Sequence, residues 1–195
     1  LLAGLDWRGV TILRAYCKYL RQAGIAFSQT YIEDALARNA ALARLLVELF
    51  HGLFDPAKAA ESDKIVTRID GEIERALEGV SSLDEDRILR RFLNAIASTL
   101  RTNFYCRGPD GAPKEALAIK LDSRALDELP LPRPFVEVFV YSPRVEAIHL
   151  RGGKVARGGI RWSDRREDFR TEVLGLLKAQ MVKNAVIVPV GAKGG

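Results

Sequence analysis

The chain has 195 residues, of which 48% are hydrophobic and 28% charged; this composition is typical of a globular protein and excludes a disordered or repetitive chain. Lys and Arg (30) outnumber Asp and Glu (25), and the excess is local, because residues 151–195 hold ten basic and four acidic residues. We therefore expect an anionic partner for that segment, and not a surface that attracts anions everywhere.

The first half of the chain has the apolar spacing of helices. Five helices are predicted: over residues 7–22, after Ser28, after Asn39, over 58–78 and over 83–104. Ser28 and Asn39 are the predicted N-caps of the second and third, and Ser82 has the capping-box spacing to Glu85 before the fifth. Residues 1–106 are therefore expected to form a helical region.

After a turn cluster at residues 107–111 the apolar period changes to two. Strands are predicted at residues 117–121, 135–141, 145–150, 154–162 and 185–190, with a helix over 165–184. Gly152 and Gly153 form a two-residue glycine connection of the kind that tight turns prefer, which predicts a hairpin between the third and fourth strands. The predicted fold class is α+β, with the helical region followed by the start of an α/β domain with a mixed sheet over residues 107–195.

Few residues favour thiol or metal chemistry. Cys17 and Cys106 lack a CxxC spacing, and His51 and His149 lie far apart, so we expect no disulfide framework, no metal site and a cytoplasmic location. The sequence has no run of 18 apolar residues, so no membrane span is predicted. The first residues lack both Met and the basic start of a signal peptide, so the chain is expected to be a segment of a longer protein.

The helix predicted over residues 165–184 combines apolar and polar side chains on one face. At 100° per residue, Gln180 points about 20° from Val173, which marks the apolar face, and Lys183 lies about 60° from Gln180. Lys178 points about 140° away and is expected in solvent. A glutamine and a lysine at one edge could bind a carboxylate; the alternative is a core glutamine bonded to backbone and a lysine with only its stem buried.

Two glycine-rich stretches flank this helix. Gly158 and Gly159 end an extended run, where they allow either a close approach of another chain or ligand, or a β-bulge. Lys193 stands among glycines after a predicted strand, in what we expect to be a loop. The order GxxxxGK[ST] is not met there, and no GxGxxG occurs, so we expect no nucleotide-binding residues in this chain.

Three motifs in a fixed order resemble those of glutamate dehydrogenases, and the similarity is greatest to the large NAD-dependent class of bacteria. The motifs are KVARGGIRW (154–162), KAQMVKN (178–184) and GAKGG (191–195). By this resemblance, residues from about 137 to 195 are the first part of the substrate-binding domain. Residues 1–106 are similar to the helical region that precedes that domain in the large class.

The resemblance implies roles for six residues: Arg157, Gly158, Gly159, Gln180 and Lys183 would bind the substrate, and Lys193 would be catalytic. Arg157, before Gly158 and Gly159, matches the basic residue that helps to bind the side-chain carboxylate of the substrate, where smaller members of the family usually have lysine. Gln180 and Lys183 match the pair that holds the α-carboxylate. Lys193 matches the catalytic lysine, which would exchange protons with the carbonyl or the attacking water.

The implied activity is oxidative deamination of L-glutamate to 2-oxoglutarate and ammonium, in glutamate catabolism. NAD would be bound by a domain beyond this chain, so the chain alone is expected to be inactive. A cytoplasmic homo-oligomer is expected, without nucleic acid or membrane partners. The alternative is a non-catalytic helical scaffold or interaction module with a basic, anion-binding segment; nucleic acid is disfavoured because acids interleave with the bases and aromatic residues are few.

Overall fold

A computed structural model describes residues 4–183 and 190–195. The described residues form six α-helices and one six-stranded sheet, with a 3-10 helix (Pro56–Glu61) after the third α-helix. The α-helices are α1 (Trp7–Gln22), α2 (Gln29–Arg38), α3 (Ala40–Phe54), α4 (Ser62–Leu77), α5 (Leu83–Ala97) and α6 (Phe169–Lys183). The strands are β1 (Thr99–Thr102), β2 (Leu117–Leu121), β3 (Val136–Tyr141), β4 (Glu146–Arg151), β5 (Ala156–Arg157) and β6 (Val190–Gly194).

Local sequence signals set the ends of the helices. The Ser28 and Ser82 side chains accept hydrogen bonds from the first turns of α2 and α5, as predicted. Gly24 follows the end of α1 and has a φ of +94°, a conformation that favours glycine. Asn39 precedes α3, but its side-chain amide donates to the Ala35 carbonyl oxygen and to the carboxylate of Glu85 instead of capping the helix.

The strand order β1-β2-β3-β4-β6-β5 makes the sheet mixed, because β5 and β6 are parallel and the other neighbours are antiparallel. Glu137 on β3 lies opposite Leu150 on β4, and Leu150 lies opposite Lys193 on β6, so the three form one row across the sheet. On the same face the Phe139 ring packs against Tyr19 of α1 at 5.6 Å. One hydrophobic core therefore includes helices and strands, and the α+β prediction is confirmed.

Non-local pairing overrides the local signal in two places. The helix predicted over residues 83–104 ends at Ala97, because β1 pairs with β2 and its threonines suit a strand. The hairpin predicted around Gly152 and Gly153 is wrong, because β6, from much later in the chain, lies between β4 and β5. The strand predicted over 154–162 is reduced to the two residues of β5.

Two other predicted elements change at their ends. The helix predicted over residues 58–78 is a 3-10 helix followed by α4, and the helix predicted over 165–184 begins at Phe169. Of the strand predicted over 185–190 the structure describes only Val190, the first residue of β6, and residues 185–189 lie outside the described residues. Strand β2 and helix α1 have the predicted bounds.

Candidate functional site

Three elements of the chain, β4, β5 and α6, meet along β6. On one side, Arg157 of β5 is the parallel partner of Gly191. On the other side, the β4 residue Leu150 is the antiparallel partner of Lys193. Helix α6 packs over β6, so β6, which carries the third glutamate dehydrogenase-like motif, contacts the elements that carry the other two.

Gly158 is the point of closest approach between the first motif and β6. A Cβ atom at Gly158 would lie 1.4 Å from the Ala192 carbonyl oxygen, so only glycine fits. The contact is held by the Gly194 N–H, which donates to the Gly159 carbonyl oxygen (3.2 Å), and by the Arg161 N–H, which donates to the Gly194 carbonyl oxygen (3.0 Å). Of the two interpretations of these glycines, the structure has the close approach, and the approaching chain is β6.

Helix α6 runs antiparallel to β6 and contacts it at two glycines. A Cβ at Gly195 would lie 3.0 Å from Val173 Cγ2, near the start of the helix. A Cβ at Gly191 would lie 2.5 Å from Gln180 Cγ, near its end. Gln180 is half-buried and its stem rests on Gly191, as its predicted direction requires, while Lys178 is exposed as predicted.

Lys193 belongs to the strand β6, and the prediction of a glycine-rich loop at this position is wrong. The neighbouring glycines serve close packing: a Cβ at Gly194 would lie 3.1 Å from the Ile148 carbonyl oxygen on β4. Because side chains alternate along a strand, Lys193 shares the α6 side of β6 with Gly191 and Gly195, and it is half-buried.

Two predicted substrate-binding cations lie at the ends of these elements. Arg157 is exposed on the edge strand β5. Lys183 is the last residue of α6, one turn after Gln180, and its side chain lies outside what the structure describes. The structure thus brings Gly158, Gly159, Gln180 and Lys193 together along β6, with Arg157 opposite Gly191.

Several basic residues near the site already have acidic partners. Within residues 151–195, Arg161 pairs with Glu172 at 3.1 Å, and Arg165 and Arg170 form further ion pairs. His149 on β4 lies beside Gly194, and burial together with the charge of Arg151 lowers its pKa. These pairs leave the basic excess of the segment unchanged, because Glu172 and Asp168 are already counted among its acids, and Glu137 on Arg170 is balanced by Arg21, which pairs with Glu167 from outside.

Sequence reasoning missed a buried ion pair beneath the site. Glu137 on β3 and Arg170 on α6 are fully buried and joined by two hydrogen bonds, Nε to Oε2 at 2.8 Å and Nη2 to Oε1 at 3.1 Å. Burial disfavours the charged guanidinium, yet the bonds from Glu137 hold the pKa of Arg170 above its usual value. A signal was available: Glu137 alternates with the inward Phe139, and Arg170 lies three residues before the inward Val173.

A groove of about 610 Å³ opens at the Gly195 end of β6. Its wall includes Lys18, Arg21 and Arg144 together with Trp162 of the first motif. Over the described residues, no three His, Cys, Asp or Glu side chains are placed to hold a metal ion. None of the described helices has the length and apolarity needed to cross a membrane.

Comparison with known proteins finds two matching families. Residues 72–195 match the family described as bacterial NAD-glutamate dehydrogenase, catalytic domain, and residues 1–56 match glutamate dehydrogenase, helical motif 3. The chain is 55% identical over 195 residues to the NAD-specific glutamate dehydrogenase of Mycobacterium tuberculosis. Proteins with the same description from Halomonas elongata and Pseudomonas aeruginosa are 55% and 54% identical. Each alignment covers 99% or more of this chain but 12% of the relative's length.

Proposed function

Because the chain belongs to the bacterial NAD-glutamate dehydrogenase family, we propose that it is part of a longer enzyme that oxidises L-glutamate with NAD to 2-oxoglutarate and ammonium. The observation that carries the proposal is the meeting of three motifs along β6, where Gly158 lies against Ala192 and Gln180 lies against Gly191. Packing alone does not require a lysine between two such glycine contacts.

The proposed roles follow from the chemistry of each group. Arg157 offers a planar guanidinium to the side-chain carboxylate of glutamate, and Gln180 with Lys183 holds the α-carboxylate through a neutral donor and a cation. Lys193 passes protons to and from the groups at the α-carbon and stabilises negative charge on the oxygen that becomes the carbonyl.

The described residues around Lys193 do not fit the pyrophosphate of NAD. The chain contains no GxGxxG sequence, and the glycines around Lys193 are covered by packed atoms of Gln180, Ile148 and Val173, which leaves no open backbone for a pyrophosphate. We therefore assign no NAD contact and no hydride-transfer step to the described residues. Residues elsewhere in the longer enzyme would bind NAD.

The proposal also includes a cytoplasmic homo-oligomer that acts in glutamate catabolism. Cys17 is buried and Cys106 exposed, and both are free thiols, which suits a reducing compartment. The helical region would act as a scaffold within the enzyme, and no observation favours a separate non-catalytic function. Light scattering of the purified full-length enzyme would measure the oligomeric state.

The test is Lys193→Ala in the full-length enzyme. Loss of a general acid–base should lower kcat for glutamate oxidation by about a hundredfold or more, with NAD affinity retained. The measurement is steady-state kinetics from about pH 6 to 10, with NAD binding followed separately. Lys178→Ala is the control, because that side chain is exposed on the same helix as Gln180. A Lys193→Ala enzyme that keeps a tenth or more of the wild-type kcat throughout would refute the catalytic role.

A further inference from the structure

The start of helix α6 is held by polar bonds that are unusual in being buried. Besides the two bonds from Arg170 to Glu137, the Arg170 backbone N–H donates to Gln22 Oε1 at 3.1 Å. The Gln22 side-chain amide in turn donates to the Arg166 carbonyl oxygen at 2.9 Å. Gln22 is the buried last residue of α1, so the helical region supplies an acceptor to one of the free N–H groups at the start of α6.

Stability alone does not account for an ion pair at this position. Removing two charges from water costs about as much as their attraction returns, and well-packed apolar residues often serve equally well. A two-bond arginine–carboxylate contact, however, fixes both distance and direction. The buried Tyr19 of α1 lies beside the same pair and is among the groups that raise the pKa of Arg170, after burial, which lowers it, and Glu137, which raises it.

The ion pair is connected to the candidate site by the sheet and by the helix. Glu137 lies in the same row across the sheet as Lys193, two strands and about 10 Å away. Arg170 lies ten residues before Gln180 on α6, which is about 15 Å along a helix axis. A shift of α6 along β6 would therefore move Gln180 away from Gly191 while Lys193 stays in the sheet.

We propose that Glu137, Arg170 and Gln22 form a buried joint that sets the position of α6 along β6. They are positioning residues: through α6 they place Gln180 and Lys183 relative to Lys193. This inference rests on the proposed function, since the positioned groups are those assigned to glutamate. It gives the helical region a part in substrate binding without contact with the substrate.

The joint can be tested in the full-length enzyme with Arg170→Lys, which keeps the charge but loses the two-bond contact, and with Gln22→Ala. Each should raise KM for glutamate about tenfold, because a displacement of about 1 Å weakens groups that must converge on one substrate. KM for NAD should change less than twofold. The matched controls are Arg165→Lys, whose ion pair with Asp168 is exposed, and Gln29→Ala, whose side-chain amide accepts from Arg21 and donates to the exposed carboxylate of Glu33.

A double variant separates positioning from stability. Glu137→Leu with Arg170→Met replaces the ion pair by apolar side chains and should restore the melting temperature more fully than it restores KM for glutamate. A KM that recovers together with the melting temperature would show that the pair is only structural. If the double variant does not fold, Arg170→Lys and Gln22→Ala still decide, and a wild-type KM in both overturns the proposal.

Hydrogen exchange gives a measurement that does not depend on activity. Amides of residues 176–180 and 191–195 should exchange about tenfold faster in Arg170→Lys and Gln22→Ala than in the wild type, and at the wild-type rate in both controls. Absence of glutamate oxidation by the wild-type enzyme would refute the proposed function, while exchange would still test the joint. Unchanged exchange in both variants, or faster exchange with unchanged KM in an active enzyme, overturns the inference.

Discussion

Replacing Gly158 by alanine should force β5 and β6 apart. The new Cβ would lie 1.4 Å from the Ala192 carbonyl oxygen, whereas carbon and oxygen atoms in contact stay about 3.3 Å apart, so the strands must separate by about 2 Å. That movement breaks the hydrogen bonds from Gly194 to Gly159 and from Arg161 to Gly194. Two bonds at about 1 kcal/mol each, with about 1–3 kcal/mol for overpacking, give a local loss of about 3–5 kcal/mol.

Native-state hydrogen exchange of the Arg161 and Gly194 amides in the full-length protein measures this loss directly. At about 1.4 kcal/mol for each factor of ten, both amides should exchange more than a hundredfold faster in Gly158→Ala. Gly159→Ala is the matched control, because a Cβ at Gly159 meets no atom within 4 Å, and it should change exchange less than about threefold. Equal acceleration in the two variants, or none in Gly158→Ala, would refute the close-packing argument.

Three further predictions concern other contacts. Gly191→Ala should push Gln180, and with it the end of α6, away from β6, because Gln180 Cγ and Cβ would lie 2.5 and 2.9 Å from the new Cβ; we expect a KM for glutamate raised about tenfold and a stability loss of about 1–3 kcal/mol, and an unchanged KM would contradict the placement of Gln180. Burial, followed by the charge of a nearby lysine, lowers the pKa of His51 in the folded protein below the ordinary histidine value of 6.5. Below pH 6.5 the unfolded chain therefore binds a proton at His51 more readily than the folded protein does, and folding stability should fall as pH drops from about 7 to 5. The melting temperature of a His51→Phe variant should fall less over that range, and parallel curves would contradict this linkage. Burial also raises the pKa of the Cys17 thiol to about 11, so iodoacetamide should modify exposed Cys106 first, as peptide mapping would detect; equal rates would contradict the packing of α1.

The sequence predicts the elements whose signals are local. Ser82 caps α5 because its hydroxyl reaches an N–H three residues later, and β2 is an alternating run bounded by turns. The order of the strands could not be predicted in this way. Strand β4 pairs with β6, about 40 residues later, instead of pairing with β5 across the nearer glycine turn. Local strand propensity does not tell which of two later strands will pair with the edge of β4.

The candidate site divides in the same way. Helical geometry alone predicts the inward direction of Gln180 and the outward direction of Lys178, and both agree with the structure. The contacts of β6 with the elements that carry the other two motifs were not predictable, because the strand signal ended before Gly191 and the glycines suggested a loop. The Glu137–Arg170 pair was overlooked because a charged residue in an apolar pattern is usually assigned to the surface.

The insertion of β6 between β4 and β5 has a consequence for synthesis on the ribosome. Strand β4 can pair with β3 soon after it leaves the exit tunnel, but its other edge has no partner until residues 190–194 are made about 40 residues later. At about 5–20 residues per second this interval lasts roughly 2–8 s, and open strand edges promote aggregation. Three of the six residues of β4 are polar, Glu146, His149 and Arg151, and charged or polar side chains on an open edge disfavour its pairing with another chain until β6 arrives. We expect a slow-codon insertion that delays the emergence of residues 190–194 to lower the soluble yield more than the same insertion placed so that the pause comes after these residues have left the tunnel.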